Sequence, residues 1–245
     1  MRCQRCSAEL EDDALVCGQC GAVVGASYAD NGLTPATPRP SHAAFAGTLP
    51  GIVGRVKGIV AHPTTEWAAI AAEPISSFEV LTSYAAPLAA IGAVALFIGQ
   101  VAIGLAVPLI GIVRTSVFTA IATGVLLFAL SLLVVIALGL IVNVLAPRFG
   151  GERNGARAFK LAAYSHTPIW LAGIAYALPW IGFLWLLAGL YGLFIAVLGL
   201  PVMMRCPKER APAYAIAAGA CGFVLFAIVG SVIAMLTGFG PDLAG

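Results

Sequence analysis

Long runs of apolar residues without a single charged side chain dominate this chain. Four stretches contain no Asp, Glu, Lys or Arg, namely 80–113, 115–147, 161–204 and 211–241. About 20 apolar residues in a helix span the roughly 30 Å hydrocarbon core of a bilayer. The third stretch has 44 residues, about 66 Å as a helix, so it must cross twice. The segment YALPWIG at 176–182 supplies the turn, and Pro179 is expected to begin the next helix.

The pattern therefore predicts five membrane-spanning helices. Their expected positions are about 81–104, 116–145, 160–178, 180–204 and 212–238. Composition agrees, since 60% of the 245 residues are hydrophobic and 10% are charged, against about 25% charged in soluble domains. The predicted fold class is an all-α integral membrane protein whose bundle of five transmembrane helices occupies about 79–240.

The residues before the bundle divide into three zones. Residues 1–24 hold four cysteines, and 25–50 are rich in Gly, Ala, Pro, Ser and Thr, which is typical of a flexible linker. Residues 51–78 predict two short amphipathic helices separated by Pro63. Thr64 or Thr65 is expected to cap the second helix, which carries Trp67. These helices suit either an interfacial collar on the membrane or a helical pair packed beneath the bundle.

The N-terminal cysteines have the spacing of a structural zinc site. They form two CxxC pairs separated by ten residues, with ligands Cys3, Cys6, Cys17 and Cys20. Two such turns can close a tetrahedral four-thiolate site around one Zn²⁺ ion. The metal would hold the fold, because a peptide of this size has almost no core. Disulfides or a redox CxxC fit the context less well.

This predicted zinc ribbon is not suited to nucleic acid or to zinc catalysis. Residues 1–24 contain two arginines, Arg2 and Arg5, and four carboxylates. The negative charge of four thiolates also exceeds the positive charge of one Zn²⁺. A net acidic surface repels phosphate, and four cysteines leave no open coordination position. A protein-binding or spacing module remains as the interpretation.

The positions of the basic residues predict the orientation of the chain. With a cytoplasmic N-terminus, only Arg114 of the 13 Lys and Arg residues lies outside. The other twelve are inside: Arg2, Arg5, Arg39, Arg55, Lys57, Arg148, Arg153, Arg157, Lys160, Arg205, Lys208 and Arg210. The positive-inside rule thus favours a cell (cytoplasmic) membrane protein with an external C-terminus. No secretory signal is expected to precede the spans.

Few polar side chains lie within the predicted spans. The candidates for binding a transported substrate are Gln100, Asn143, Tyr164 and His166, although Gln100 and Asn143 fit hydrogen bonds between helices better. Pro168, and to a lesser degree Pro87, should kink the spans because proline lacks an amide donor. Small residues recur every four positions, as in Ala188, Gly192 and Ala196. That spacing suits packing within the bundle or self-association into a homo-oligomer.

Several segments in order resemble the Yip-domain family of Ypt/Rab-interacting five-span membrane proteins and their bacterial relatives. They are HPTTEWAAIAAEP before the first span, SYAAPLAAIG within it, FKLAAYSHTPIWLAGI in the third span and LWLLAGLYGLFIAVLGLPVMMRCPKERAPAY in the fourth span and the loop that follows it. The resemblance covers about residues 52–238. It implies five spans and a cytoplasmic N-terminus, in agreement with the charge count. The short cysteine segment is similar to zinc ribbons found on many bacterial membrane proteins.

For eukaryotic members the family also implies a role with Rab GTPases, which is not carried over to this chain. The eukaryotic D-L-Y-G-P signature is absent, and the GLYG at 189–192 lies in span four. The resemblance therefore indicates a bacterial-type member and implies a fold rather than a chemistry.

Together these features predict a non-enzymatic membrane adaptor or scaffold. No catalytic residue is assigned, because GxSxG, HExxH and phosphate-loop motifs are all absent. The expected partners are the lipid bilayer and a protein bound at the zinc ribbon. The alternative is a transporter or channel for a small or lipid-like substrate.

Overall fold

A computed structural model describes residues 49–107, 111–113, 116–177, 181 and 183–237, and this part of the chain is largely helical. Its α-helices are α1 Leu49–Ala61, α2 Pro63–Ala72, α3 Ser77–Val80, α4 Ala86–Ile98, α5 Val117–Leu145, α6 Gly155–Ser165, α7 Thr167–Ala172, α8 Leu184–Met203 and α9 Ala211–Thr237. Two three-residue strands, β1 Leu105–Val107 and β2 Gly111–Val113, pair antiparallel. The predicted helical fold class is confirmed at this level.

Four helices in the described residues are long and apolar enough to cross a membrane. They are Ser77–Ala102, Val117–Phe149, Leu184–Met203 and Ala211–Val232. Each overlaps one of the predicted spans, although the first begins four residues earlier than predicted. The fourth predicted span, 180–204, begins in the structure at Leu184. The predicted turn at Pro179 lies outside the described residues.

The first of these helices, Ser77–Ala102, is continuous but contains two π-helical turns. Ser76 caps its start by accepting a hydrogen bond from the backbone N–H of Glu79 at 3.1 Å, which explains the early beginning. A π-helical turn, Leu81–Ala85, comes before α4, and a second, Gly99–Ile103, follows it. The first lies directly ahead of Pro87, the position at which the missing amide donor was expected to disturb the helix.

The third predicted span, 160–178, is not one continuous helix. α6 begins earlier, at Gly155, because the side chain of Asn154 accepts a hydrogen bond from the N–H of Arg157. α6 ends at Ser165, α7 follows at Thr167, and a 3₁₀ turn, Gly173–Tyr176, completes the segment. The break next to Pro168 is the one its missing N–H predicts. We call 155–176 the broken segment.

Glycines allow the broken segment to approach its neighbours closely. A Cβ at Gly192 of α8 would lie 2.7 Å from the carbonyl oxygen of Ser165, and one at Gly173 would lie 2.9 Å from the Cα of Gly92. Contacts this short leave room for hydrogen only. Gly192 belongs to the small-residue row predicted from the sequence, and its role here is packing within the bundle.

Candidate functional site

α1 and α2 pack against α8 at one end of the bundle. Trp67 is fully buried, and its Nε1–H donates to the carbonyl oxygen of Ile195 at 3.0 Å. The hydroxyl of Tyr191 donates to the carbonyl oxygen of Val60 at 2.5 Å. Of the two interpretations left open by the sequence, these contacts favour a helical pair packed beneath the bundle.

The start of α2 differs from the prediction that Thr64 or Thr65 caps it. The helix begins at Pro63, and His62 at its N-cap makes no side-chain capping bond. Proline suits the first helical position because its φ is already helical and its missing N–H would have had no helical partner there.

A buried ion-pair cluster joins this helical pair to the broken segment. The guanidinium of Arg55 donates to the carboxylates of Glu66 and Glu73, while Lys160 Nζ donates to the carbonyl oxygen of Glu73 at 2.9 Å. Burial lowers the pKa of Arg55, but its hydrogen bond and charge interaction with Glu73, together with the charge of Glu66, raise it overall. Arg55 therefore stays charged, and its ion pairs clamp α1 to α2.

This ion-pair cluster was not predicted from the sequence. Arg55 entered the prediction only as one of the twelve inside charges, and Glu66 and Glu73 were not singled out. The partners are 11 and 18 positions away from Arg55, and neither spacing is a helical contact period. One signal was present, namely two carboxylates within the same short amphipathic zone as the arginine.

Aromatic side chains continue the packing inward from the cluster. Tyr84 and Tyr164 lie with ring centroids 4.7 Å apart, and Tyr164 meets Trp67 edge to face at 6.4 Å. The hydroxyl of Tyr84 shares a 2.7 Å hydrogen bond with Thr167 at the start of α7. The break in the third segment is thereby tied to the first membrane helix.

A large, mostly apolar cavity lies between the helices of the bundle. Its volume is about 1230 Å³, and its walls come from α4, α5, α8, α9 and the broken segment. Ligand pockets typically measure about 300–1,000 Å³, so the space is ample for a lipid-sized molecule. Along α5 the lining extends from Leu127 to Val142, about 22 Å of helix.

Two of the polar side chains that line the cavity, Gln100 and Ser131, already have hydrogen-bond partners. Gln100 accepts a hydrogen bond from the hydroxyl of Thr123 at 2.9 Å, which confirms the predicted bond between helices. Ser131 accepts one from Nε1 of Trp170, also at 2.9 Å. These two side chains lie in the wall and stabilise contacts between its helices.

Ser165 and His166, at the break between α6 and α7, differ from those residues. The hydroxyl oxygen of Ser165 is buried without a hydrogen-bond partner. The imidazole of His166 contacts the ring of Trp170 edge to face at 5.3 Å, and no side chain of the described residues gives it a hydrogen bond. Both residues line the cavity.

Only two of the four polar residues predicted as substrate-binding candidates line the cavity. Gln100 and His166 line the same cavity, whereas Asn143 and Tyr164 do not. The side-chain oxygens of Asn143 and Tyr164 are buried without partners elsewhere in the bundle. Ser165 was not singled out from the sequence, although its place beside a predicted proline break was a usable signal.

The predicted zinc ligands Cys3, Cys6, Cys17 and Cys20 lie outside the described residues. Among the residues that the structure does describe, no group of three or more His, Cys, Asp and Glu side chains could hold a metal ion. Cys206 is described, is buried, and burial raises the pKa of its thiol. A raised pKa makes the reactive thiolate scarce near neutral pH.

The long apolar helices and their packed interior define a polytopic helical membrane protein. The model of the Yip1 domain matches residues 57–229, which is most of the chain, so this protein belongs to the Yip1 domain family. The resemblance seen in the sequence is confirmed at the level of the family.

Curated relatives agree with a location in a cell membrane. The inner membrane protein YohC of Escherichia coli K12 is 26% identical over 194 residues, which cover 78% of this chain and all of the relative. YohC of Escherichia coli O6:H1 strain CFT073 matches to the same extent. No solved structure matches the chain.

Proposed function

We propose that this protein is a non-enzymatic integral membrane adaptor or scaffold. Its helical bundle would hold it in the cytoplasmic membrane, and its N-terminal ribbon would bind a protein partner. The observation that supports this is the clamp formed by Arg55, Glu66 and Glu73. It fixes α1, the first helix of the described residues, to one end of the bundle.

The proposal includes one structural zinc ion. Cys3, Cys6, Cys17 and Cys20 are the four thiolate ligands that a closed tetrahedral site requires. The ion would supply rigidity rather than chemistry, because a ribbon of about 24 residues has no hydrophobic core to hold its shape. The acidic surface of the ribbon favours a basic face on its partner.

We also propose that the broken segment crosses the membrane as a fifth span. It contains 22 residues from Gly155 to Tyr176, and its middle is buried in the bundle. Non-helical backbone at membrane depth is tolerated where protein rather than lipid surrounds it. Five crossings place the N-terminus in the cytoplasm and the C-terminus outside, as the distribution of basic residues favours.

The adaptor proposal is tested by comparing the proteins that co-purify with the intact chain and with Cys17→Ser from native membranes. Cys221→Ser is the matched control, because Cys221 lies in α9 and is not one of the four proposed zinc ligands. We expect zinc content and at least one partner to be lost from Cys17→Ser alone. Identical partner sets for all three proteins, with the bundle still folded, would refute the adaptor role.

The cavity favours the second candidate, a transporter or channel for a small or lipid-like substrate. Its volume of about 1230 Å³ gives such a substrate a place to reside within the bundle. Flux of a labelled candidate substrate across liposomes should then be lost in His166→Phe. Equal flux in that variant would remove the structural basis for transport.

A further inference from the structure

The cavity between the membrane helices opens at the outer surface of the bundle. Part of its lining on α8 and α9 consists of apolar side chains that are themselves largely exposed: Leu186, Leu190, Ile216 and Phe223. In a membrane-spanning bundle such side chains face the hydrocarbon of the bilayer. The opening therefore leads to lipid, and a molecule dissolved in the bilayer can enter sideways between the two helices.

The lining also determines which headgroup the cavity tolerates. None of the described residues that line it is an Asp, Glu, Lys or Arg. A phosphate or carboxylate placed there would lose its hydration and meet no cation, which is costly in an apolar environment. A headgroup without charge avoids that cost.

A polar anchor nevertheless exists at one point of the wall. Ser165 is 8% exposed, and its hydroxyl oxygen has no partner. The adjacent His166 adds an imidazole that can donate or accept a hydrogen bond. Buried polar groups without partners are uncommon in proteins and call for a specific explanation.

We propose that this cavity binds a neutral long-chain lipid with a hydroxyl headgroup. Its chain lies along the apolar wall of α5, and its hydroxyl meets Ser165 and His166. The lining along α5 is about 22 Å long. One leaflet is about 15 Å deep, half of the roughly 30 Å hydrocarbon core, so this wall is long enough for a whole lipid chain. Binding at this site is independent of the zinc ribbon, so it stands or falls separately from the adaptor role.

Two tryptophans in the cavity wall provide the readout. Trp170 and Trp185 line the space, so a lipid brominated on its chain should quench their fluorescence when it binds. The probe is dibromostearoyl glycerol, titrated into the purified full-length protein in detergent. Dibromostearate carries the same chain with an anionic headgroup, and its methyl ester carries the chain without a hydroxyl.

Substitutions separate binding in the cavity from partition into the micelle. Gly189 of α8 lines the cavity, and nothing lies within 4 Å of a Cβ built there, so Gly189→Leu fills the space without a clash at Cβ. Gly54→Leu is its matched control, because Gly54 lies in α1 with the same open surroundings and does not line the cavity. Ser165→Ala removes one hydroxyl, and Ser231→Ala, outside the cavity, is its control.

We expect saturable quenching by the glyceride, at least tenfold tighter than by either comparison lipid. Gly189→Leu should abolish the saturable part, and Gly54→Leu and Ser231→Ala should leave it unchanged. Ser165→Ala and His166→Phe should each weaken binding about five- to tenfold, which is the effect of losing one buried hydrogen bond. His166→Gln should restore much of the loss because it keeps a hydrogen-bonding side chain.

Three results would overturn the proposal. Quenching that is linear in lipid and equal in Gly189→Leu would mean that no lipid enters the cavity. Equal affinity for the anionic lipid would rule out selection of a neutral headgroup. Equal affinity for the methyl ester, with no effect of Ser165→Ala or His166→Phe, would rule out recognition of the hydroxyl.

Discussion

At the scale of single residues, the fit between Trp67 and Gly199 decides how closely α2 approaches α8. A Cβ at Gly199 would lie 2.4 Å from Cε2 of the Trp67 ring and 2.6 Å from Cδ1 of Leu161. The ring is fully buried, and its Nε1–H donates a hydrogen bond to the carbonyl oxygen of Ile195. Neither the indole nor the helix can therefore shift without losing a hydrogen bond or packing.

Gly199→Ala should destabilise the protein by about 1–3 kcal/mol, the usual effect of overpacking a tight interior. The measurement is thermal unfolding in detergent, followed by circular dichroism. Gly189→Ala is the matched control, since its Cβ meets open space and alanine favours a helix. An unchanged melting temperature for Gly199→Ala would show that Trp67 does not pack on α8 in this way.

At the scale of elements, the helical pair α1–α2 is held by charge as well as by apolar packing. Arg55 is 8% exposed and Glu73 is 13% exposed. Removing one member of a buried ion pair leaves its partner charged and poorly solvated, which costs more than the intact pair contributes. Glu73 also connects to α6, because its carbonyl oxygen accepts from Lys160.

Glu73→Gln should loosen α1 while the membrane helices stay folded. Losing one charged hydrogen bond costs about 1.5–3 kcal/mol, so exchange of the α1 backbone amides should speed up about tenfold or more when measured by hydrogen–deuterium exchange mass spectrometry. Glu209→Gln, at an exposed loop position, should leave exchange unchanged. Equal protection of α1 in both variants would contradict the clamp.

At the scale of the whole molecule, the sequence predicts the bounds of the long membrane helices better than it predicts the contacts and spaces between helices. α5 and α9 begin and end within one residue of the predicted positions, because an apolar run in a bilayer has few options other than a helix. Pro168 indicated the break in the third segment. The earlier start of α6 depended on capping by Asn154, which hydropathy does not reveal.

The ion-pair cluster and the cavity could not be predicted in the same way. Arg55 and Glu73 meet only because two helices fold back on each other, and no local period joins residues 18 positions apart. The cavity is the space that five segments leave unfilled. The sequence shows the small residues along the cavity walls. It does not show that a neighbouring segment packs tightly against Gly192 while the space beside Gly189 stays open.

We propose an anchored bundle of five crossings that holds the N-terminal ribbon in the cytoplasm. The most direct test attaches a topology reporter to the N-terminus or to the C-terminus of the full chain in a bacterial cell. Alkaline phosphatase is active only outside the cytoplasm, and green fluorescent protein fluoresces inside it. We expect fluorescence from the N-terminal fusion and phosphatase activity from the C-terminal one. Both termini on the same side of the membrane would mean four crossings and would contradict a bundle of five.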